Sequence, residues 1–226
     1  SIKMRYSWKN EGRRLLAFGS ILYFAKDGDV VWGSGVNGKI PAERHAFKKL
    51  DVRMVRGPLT KEFLERKGIR VGNRFGDPEL LLPKLFPGFV KRPQKHKIIM
   101  IPNYNDLSQL NKRKSNGIKL VSPLNYWKNV VNEILTSELV LSSSLHGVII
   151  SEAFEVPVRF VMPVGGETLF KYQDYYEGTG RILNRKPQSF LDNITPDIGM
   201  DMSSPVFQCN SLLDAFPVDF FENWRK

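Results

Sequence analysis

The sequence predicts an α/β fold whose parallel sheet is covered on both faces, and three observations point to it. From residue 97 onward, apolar runs of strand length alternate with stretches of helical spacing. Two runs, VRMVRGPLT and LVLSSSLHG, pass through a short turn directly into a helix-like segment. No internal repeat and no low-complexity tract interrupts the pattern.

Taken in order, IKMRYS (2–7) reads as a short strand, interrupted by KNEGRR. LLAFGSI (15–21) and DVVWGSGV (29–36) are strand candidates, and VRMVRG (52–57) is another. The last runs into PLTKEFLERKG, a helix with Pro58 in its opening turn and Gly68 as its stop. In RFGDPELLLPKLF, Pro78 and Pro83 punctuate an apolar segment, which reads as a loop and a short helical turn. PGFVKRPQKHK (87–97), rich in proline and basic residues, is the expected linker, giving an N-terminal domain over 1–90 and a C-terminal domain over 91–226. Beyond it, KIIMIPN and IKLVSP are strands, NYWKNVVNEILTS (125–137) a helix, ELVLSS a strand, LHGVIISEAFE a helix and VPVRFVMP a strand. The tail holds FKYQDYYEGTGR and helix-like pieces around SFLDNI, QCNSLLDAF and DFFENWR.

At 226 residues, with 42% hydrophobic and 25% charged residues, the composition is that of an ordinary globular protein. A single cysteine, Cys209, excludes an intrachain disulfide framework and fits a reducing compartment. SIKMRYSWKN lacks the apolar core of a signal peptide, and no run reaches the roughly 18 apolar residues of a spanning helix. The expectation is a soluble, cytoplasmic protein. The net charge of +11 suits nucleic acid, anionic lipid or a small anionic substrate, and equally serves solubility. The basic residues are scattered over KRPQKHK, NKRK, RKP and WRK without interleaved aromatics, so no nucleic-acid partner is expected.

In a parallel sheet, ligands sit beyond the carboxyl ends of the strands, where loops lead into helices. LVLSSSLHGVIISEAF has this form: a strand, the turn Ser142, Ser143, Ser144, then a helix that opens on Leu145, His146 and Gly147. A helix N-terminus offers unpaired N–H groups and a partial positive charge to an anion. Serine hydroxyls add donors, Gly147 would admit a ligand close to the first turn, and His146 could exchange a proton near neutral pH. The pattern fits equally an N-cap serine before a buried helix with an incidental histidine. At VRMVRGPLT, Arg56 and Gly57 close a strand before Pro58; Arg56 is either a planar fork for a carboxylate or phosphate, or a surface arginine. GSGVNGK, with Gly33, Ser34 and Gly35, lacks GxGxxG and the GK[ST] ending of a P-loop, and reads as a tight turn near the site. Asp77, in FGDPE, is a turn aspartate or an acid. His45, His96 and His146 belong to no ligand motif, so no metal is expected, and no serine sits in GxSxG.

In order, LLAFGSIL, VVWGSGV, RMVRGPLT, FGDPELLLP, IPNYND, SSSLHGVIISEAF and KYQDYYEGTGR resemble the polysaccharide pyruvyl transferase family, over roughly residues 15–181 and most closely the type that puts pyruvate ketals on exopolysaccharides. The resemblance implies two Rossmann-like halves facing across a cleft, similar to GT-B glycosyltransferases. It also implies phosphoenolpyruvate as donor, a sugar of a bacterial exopolysaccharide or lipid-linked oligosaccharide as acceptor, and no metal or organic cofactor. A lipid-linked acceptor would bring the protein to the inner face of the cytoplasmic membrane. The family's arginine before Gly-Pro falls on Arg56, and its Leu-His pair on Leu145 and His146. The donor site expected from this is Arg56, Gly57, Ser143, Ser144, Leu145, His146 and Gly147, with His146, Arg56 and Asp77 in catalytic roles. Gly33, Ser34, Gly35, Asn103, Glu152, Asp174 and Tyr175 are further candidates, Glu152 and Asp174 as acid or base. Three departures stand out. Ser144 replaces an arginine that many members carry before Leu-His, and Asn103 replaces a frequent histidine. The Asn-Phe-Gly-Asp stretch after the first strand has no counterpart in YSWKNEGRR. Two alternatives remain at this point: a GT-B-type nucleotide-sugar glycosyltransferase, or a catalytically degenerate glycan- or anion-binding member.

Overall fold

Short parallel strands form first along the chain. The computed structural model describes residues 12–110, 117–183, 200–201, 205–206 and 209–222, so the expected strand at 2–7 and helical piece at SFLDNI lie outside the described residues. The N-terminal elements are β1 (Leu15–Leu16), β2 (Val30–Trp32), β3 (Asp51–Met54), α1 (Pro58–Arg66) and α2 (Leu82–Leu85). There follow β4 (His96–Ile101), α3 (Leu107–Leu110), β5 (Lys119–Leu120), α4 (Trp127–Leu135), β6 (Ser137–Ser142), α5 (Leu145–Ala153) and β7 (Val158–Phe160). The last are α6 (Phe170–Gly178), β8 (Met200–Asp201), α7 (Cys209–Asp214) and α8 (Val218–Glu222).

Contacts divide the chain into two units. The first holds the residues up to Pro78, together with Thr168–Leu183 and the helices α7 and α8; the second holds Glu79–Glu167 and β8. The sequence reading put a single boundary at 90/91, which differs in two ways. Residues before β4 belong to the second unit because Phe89 packs on Trp127 and Phe154, with ring centroids 5.7 and 6.4 Å away. The backbone there is tied in as well, Lys95 N–H donating to Thr136 O at 2.8 Å. In the other direction, α6 returns to the first unit because its Asp174 pairs with Arg56.

In the first unit, β1, β2 and β3 form a parallel sheet in that order. Leu16, Val31, Val55 and Leu64 gather with Leu22, Val36 and Phe47 into its core. Pro58 occupies the first turn of α1, where its missing N–H costs nothing, and Gly68 at φ +78° follows the helix as the sequence predicts. The expected strands at 15–21 and 29–36 are shorter than read, since each leaves the sheet within a few residues: Phe18–Ser20 form a bend, and Gly33 turns at φ +96°. Trp32 caps this unit from beneath, its Nε1–H donating to Leu212 O of α7 at 2.9 Å.

The second unit has the strand order β5-β4-β6-β7-β8, with β8 antiparallel and the other four parallel. Its interior strand β4 explains the unbroken IIMI run. Ile98 and Met100 face one core cluster with Leu110 and Leu141, while Ile99 and Ile101 face another with Val131, Ile134, Val140 and Phe154. Both faces of this strand are covered, so both must be apolar. The chain runs from β4 out to β5 and then back across to β6 on the other side. The order therefore reverses between β4 and β6, and in parallel sheets ligands sit beyond the carboxyl ends at such a reversal.

Candidate functional site

The carboxyl ends of β4 and β6 carry a network built from the serine turn. Ser142 Oγ lies 2.9 Å from both Ile101 O and Ser144 O, its one proton serving either, and it accepts from Ser144 N–H at 3.1 Å. Ser143 Oγ donates to Asp106 Oδ2 at 2.6 Å and accepts from Asn103 N–H at 2.9 Å. Asp106, fully buried, also takes the N–H groups of Val164 and Gly165 on Oδ1, at 3.0 and 2.7 Å. One carboxylate thus ties together the loops after β4, β6 and β7. Asn103 in turn accepts from Asn105 N–H on its side-chain oxygen at 3.0 Å.

Ser144 is the N-cap of α5, with an extended backbone and no capping bond from its side chain. The N–H groups of Leu145, His146 and Gly147 begin the helix, where the backbone has no intrahelical acceptor to offer them. Within α5 only His146 is exposed; Leu145, Gly147, Val148, Ile149 and Ser151 are buried. Gly147 is required by packing. A Cβ there would sit 2.3 Å from Ser142 Oγ and 3.1 Å from Ile101. The space beside it, which the sequence reading reserved for a ligand, is filled by the ends of β6 and β4.

Glu79 faces His146 from the turn that precedes α2, its Oε1 3.7 Å from Nδ1. The Glu79 side chain is 11% exposed and that of His146 46%. Burial pushes the Glu79 carboxyl up to about 8. The edge therefore combines a helix N-terminus suited to an anion with an accessible imidazole and a carboxyl that holds its proton at neutral pH.

The candidates of the first unit form a different kind of cluster. Arg56 is fully buried: its Nε–H donates to Asp174 at 3.0 Å, Nη1 to Ser20 Oγ at 2.6 Å and Nη2 to Val36 O at 2.6 Å. Asp174, also fully buried, accepts from Thr60 N–H at 2.8 Å and Thr60 Oγ at 2.6 Å. The fork expected to face a donor is here turned inward, because α6 brings a carboxylate against it. Gly57 lets α6 come this close; a Cβ there would meet Asp174 O at 1.7 Å. Gly35 lies against the Arg56 guanidinium, Gly33 against Pro78, and Ser34 Oγ donates to Gly19 O at 2.9 Å. Tyr175 is buried under Arg181, whose Cζ is 5.3 Å from the ring centroid. Asp77 is buried in the same unit.

Ser143, Ser144, Leu145, His146, Gly147 and Asn103 thus come together, as do Arg56, Gly57, Gly35, Asp174 and Thr60. Glu152 stands apart from His146, six residues along the helix and about 9 Å down its axis. Sequence reasoning missed Asp106 and Glu79. Both lie inside quoted motifs, IPNYND and FGDPELLLP, but a carboxylate in a turn carries no signal of the chain it will meet. A cavity of about 340 Å³, lined by Lys91, Arg92, Ser137 and Glu138 among others, lies at the amino ends of β4 and β6, on the edge opposite these residues. Among the described residues, no group of three His, Cys, Asp or Glu side chains could hold a metal ion, and no helix is long and apolar enough to cross a membrane.

The profile of the family described as polysaccharide pyruvyl transferase matches residues 6–163. A curated protein from Rhizobium meliloti (strain 1021), the succinoglycan biosynthesis protein ExoV, is 29% identical over 155 residues. The match takes in 67% of this chain and 48% of that protein, so the chain spans about half the length of the curated relative. No solved structure matches the chain.

Proposed function

This chain belongs to the polysaccharide pyruvyl transferase family, and we propose that it moves the pyruvate group of phosphoenolpyruvate onto a sugar of a bacterial exopolysaccharide precursor, closing a pyruvate ketal. The relative's name, a succinoglycan biosynthesis protein, supports a saccharide acceptor. In this reading the acceptor is lipid-linked and met at the inner face of the cytoplasmic membrane, where a chain of net charge +11 is drawn to anionic headgroups. The two units are read as the two halves of a GT-B-like enzyme.

The observation that carries the proposal is the exposed His146 in the first turn of the otherwise buried or half-buried α5, beyond the strands where the sheet order reverses. Phosphoenolpyruvate brings a phosphate and a carboxylate, and the N–H groups of Leu145, His146 and Gly147 with the Ser144 hydroxyl would receive one of them. The methylene carbon takes a proton as the first sugar hydroxyl bonds to the adjacent carbon. That carbon then loses phosphate as a second hydroxyl of the same sugar attacks. Of the two hydroxyl protons, one replaces the proton given to the methylene and the other leaves with phosphate. His146 is the group we assign to these transfers, since an imidazole exchanges protons near neutral pH. Arg56 enters as the buried frame of the first unit's carboxyl edge, with Asp174 as its counter-ion and Asp77 buried in the same unit.

Thermal unfolding of the full-length protein with phosphoenolpyruvate, beside a panel of nucleotide sugars, tests this reading. Phosphoenolpyruvate at about 100 times its dissociation constant adds roughly 2.7 kcal/mol of stability. The expected result is stabilisation by phosphoenolpyruvate alone, lost in His146→Ala. Stabilisation by a nucleotide sugar instead replaces the proposal with a glycosyltransferase, and no response to either overturns both.

A further inference from the structure

We infer that the end of α2 and the loop after it, together with the turn into α4, form a docking surface for an anionic lipid membrane. The inference deepens the membrane part of the transferase reading and rests on that reading only for the lipid-linked acceptor. In sequence the loop is KLFPGFVK, an apolar stretch with one glycine, bracketed by Lys84 and Lys91. Leu85, Phe86 and Val90 on it, with Leu124 and Tyr126 before α4, each keep 41–60% of their surface in solvent. Rings join them into one patch around Trp127, whose centroid is 5.4 Å from Phe86, 5.7 Å from Phe89 and 6.2 Å from Tyr126. The loop is held outward. Phe86 N–H donates to Leu82 O at 2.9 Å and Phe89 N–H to Phe86 O at 3.0 Å, closing a turn over Pro87 and Gly88. Phe89 and Trp127, both half-buried, pack onto the core of the second unit and root that turn. Contiguous exposed apolar surface of this kind marks a place of contact.

Charge identifies the partner. From Leu80 to Asn132 the sequence has ten lysines and arginines against one acidic residue, Asp106, so this stretch holds +9 of the net +11. Asp106 is buried, which leaves its charge out of the surface balance. At the patch, Lys84 and Lys91 are exposed, and Lys128 Nζ lies 5.6 Å from the Trp127 ring centroid. Lysine stems lie along apolar surface while their ammonium groups reach phosphates, and Trp and Tyr rings favour the headgroup level. The same lysines count against a second copy of this chain as the occupant, since a symmetric contact sets like charges against each other. Nucleic acid would satisfy the charge, but Leu85, Val90 and Leu124 offer its bases no ring to stack on.

The test is co-sedimentation of the full-length protein with phosphatidylcholine vesicles, with and without about 30% phosphatidylglycerol. Partition onto the anionic vesicles should be at least about tenfold stronger and should weaken with salt. Leu85→Ser combined with Val90→Ser should reduce it about tenfold, and so should Lys84→Glu combined with Lys128→Glu. Thermal unfolding of each double variant checks that it is folded; all four side chains are exposed, so both should be. Binding should shift tryptophan emission to the blue, and Trp127→Phe should lose most of that shift while keeping the partition. No preference for anionic vesicles, partition unaltered in either double variant, or a blue shift unchanged in Trp127→Phe overturns the inference. Self-association abolished by Leu85→Ser with Val90→Ser, in the absence of vesicle binding, would assign the patch to a second copy and overturn it too. The vesicle arm needs no phosphoenolpyruvate. Vesicle binding as expected, with no response to phosphoenolpyruvate, would sink the transferase reading and leave the docking surface standing. Stabilisation by phosphoenolpyruvate without vesicle binding would do the reverse.

Discussion

The two strand-to-helix junctions of the molecule, β3 into α1 and β6 into α5, look alike in sequence and behave oppositely. Both pass through small residues into a helix, and both carry a basic side chain. Arg56 precedes the N-cap Gly57 and is sealed in by α6, so its charge is spent on Asp174, Ser20 and Val36. His146 follows the N-cap as the second residue of α5 and projects from a helix that is otherwise buried or half-buried. The difference teaches that a junction is closed into the frame or left accessible according to what packs over it. A charged residue at the carboxyl edge of a sheet has no fixed meaning until its counter-ion is located.

The largest effect we expect breaks the framed junction. Asp174→Ala leaves the Arg56 cation in the interior with only Ser20 and Val36, and removes the acceptor for both Thr60 donors. Stripping one partner from a buried pair costs about 3–5 kcal/mol. Urea unfolding should show the midpoint falling accordingly. A loss below about 1 kcal/mol would mean that Arg56 is solvated, and the contrast between the junctions would collapse.

A smaller effect sharpens the comparison from the other side. Asp106→Ala removes the acceptor of the Ser143 hydroxyl and of the N–H groups of Val164 and Gly165, and should cost about 3 kcal/mol in the same measurement. Asp106→Asn keeps an oxygen for the two backbone donors and should cost markedly less. Equal losses in the two variants would show that shape, not hydrogen bonding, fixes the loops around His146.

How far the sequence could be read follows from the range of each signal. The ends of α1 were legible because Pro58 and Gly68 act within one turn. The double-faced strand β4 and the serine turn before α5 were legible for the same local reason. The unit boundary was not. Proline and lysine give 87–97 the look of a linker, yet one apolar ring, Phe89, docks it onto the second sheet. The burial of Arg56 was hidden too, since its partner Asp174 lies far along the chain and returns only when α6 folds back. Glu79 stood in plain view as a turn carboxylate; only tertiary packing brings it to His146.

The smallest expected effect on stability is the sharpest test of the exposed junction. His146 has nearly half of its side-chain surface in solvent, so His146→Ala removes little packing and puts a better helix former into the first turn of α5. Its stability should stay within about 0.5 kcal/mol of the parent. Stabilisation by phosphoenolpyruvate should nevertheless vanish, because the proposed donor site loses the exposed imidazole at the start of α5. If His146→Ala instead unfolds the protein while a folded fraction still responds fully to phosphoenolpyruvate, the histidine is part of the frame, as Arg56 is. The distinction between the two junctions would then lie in burial alone and not in function.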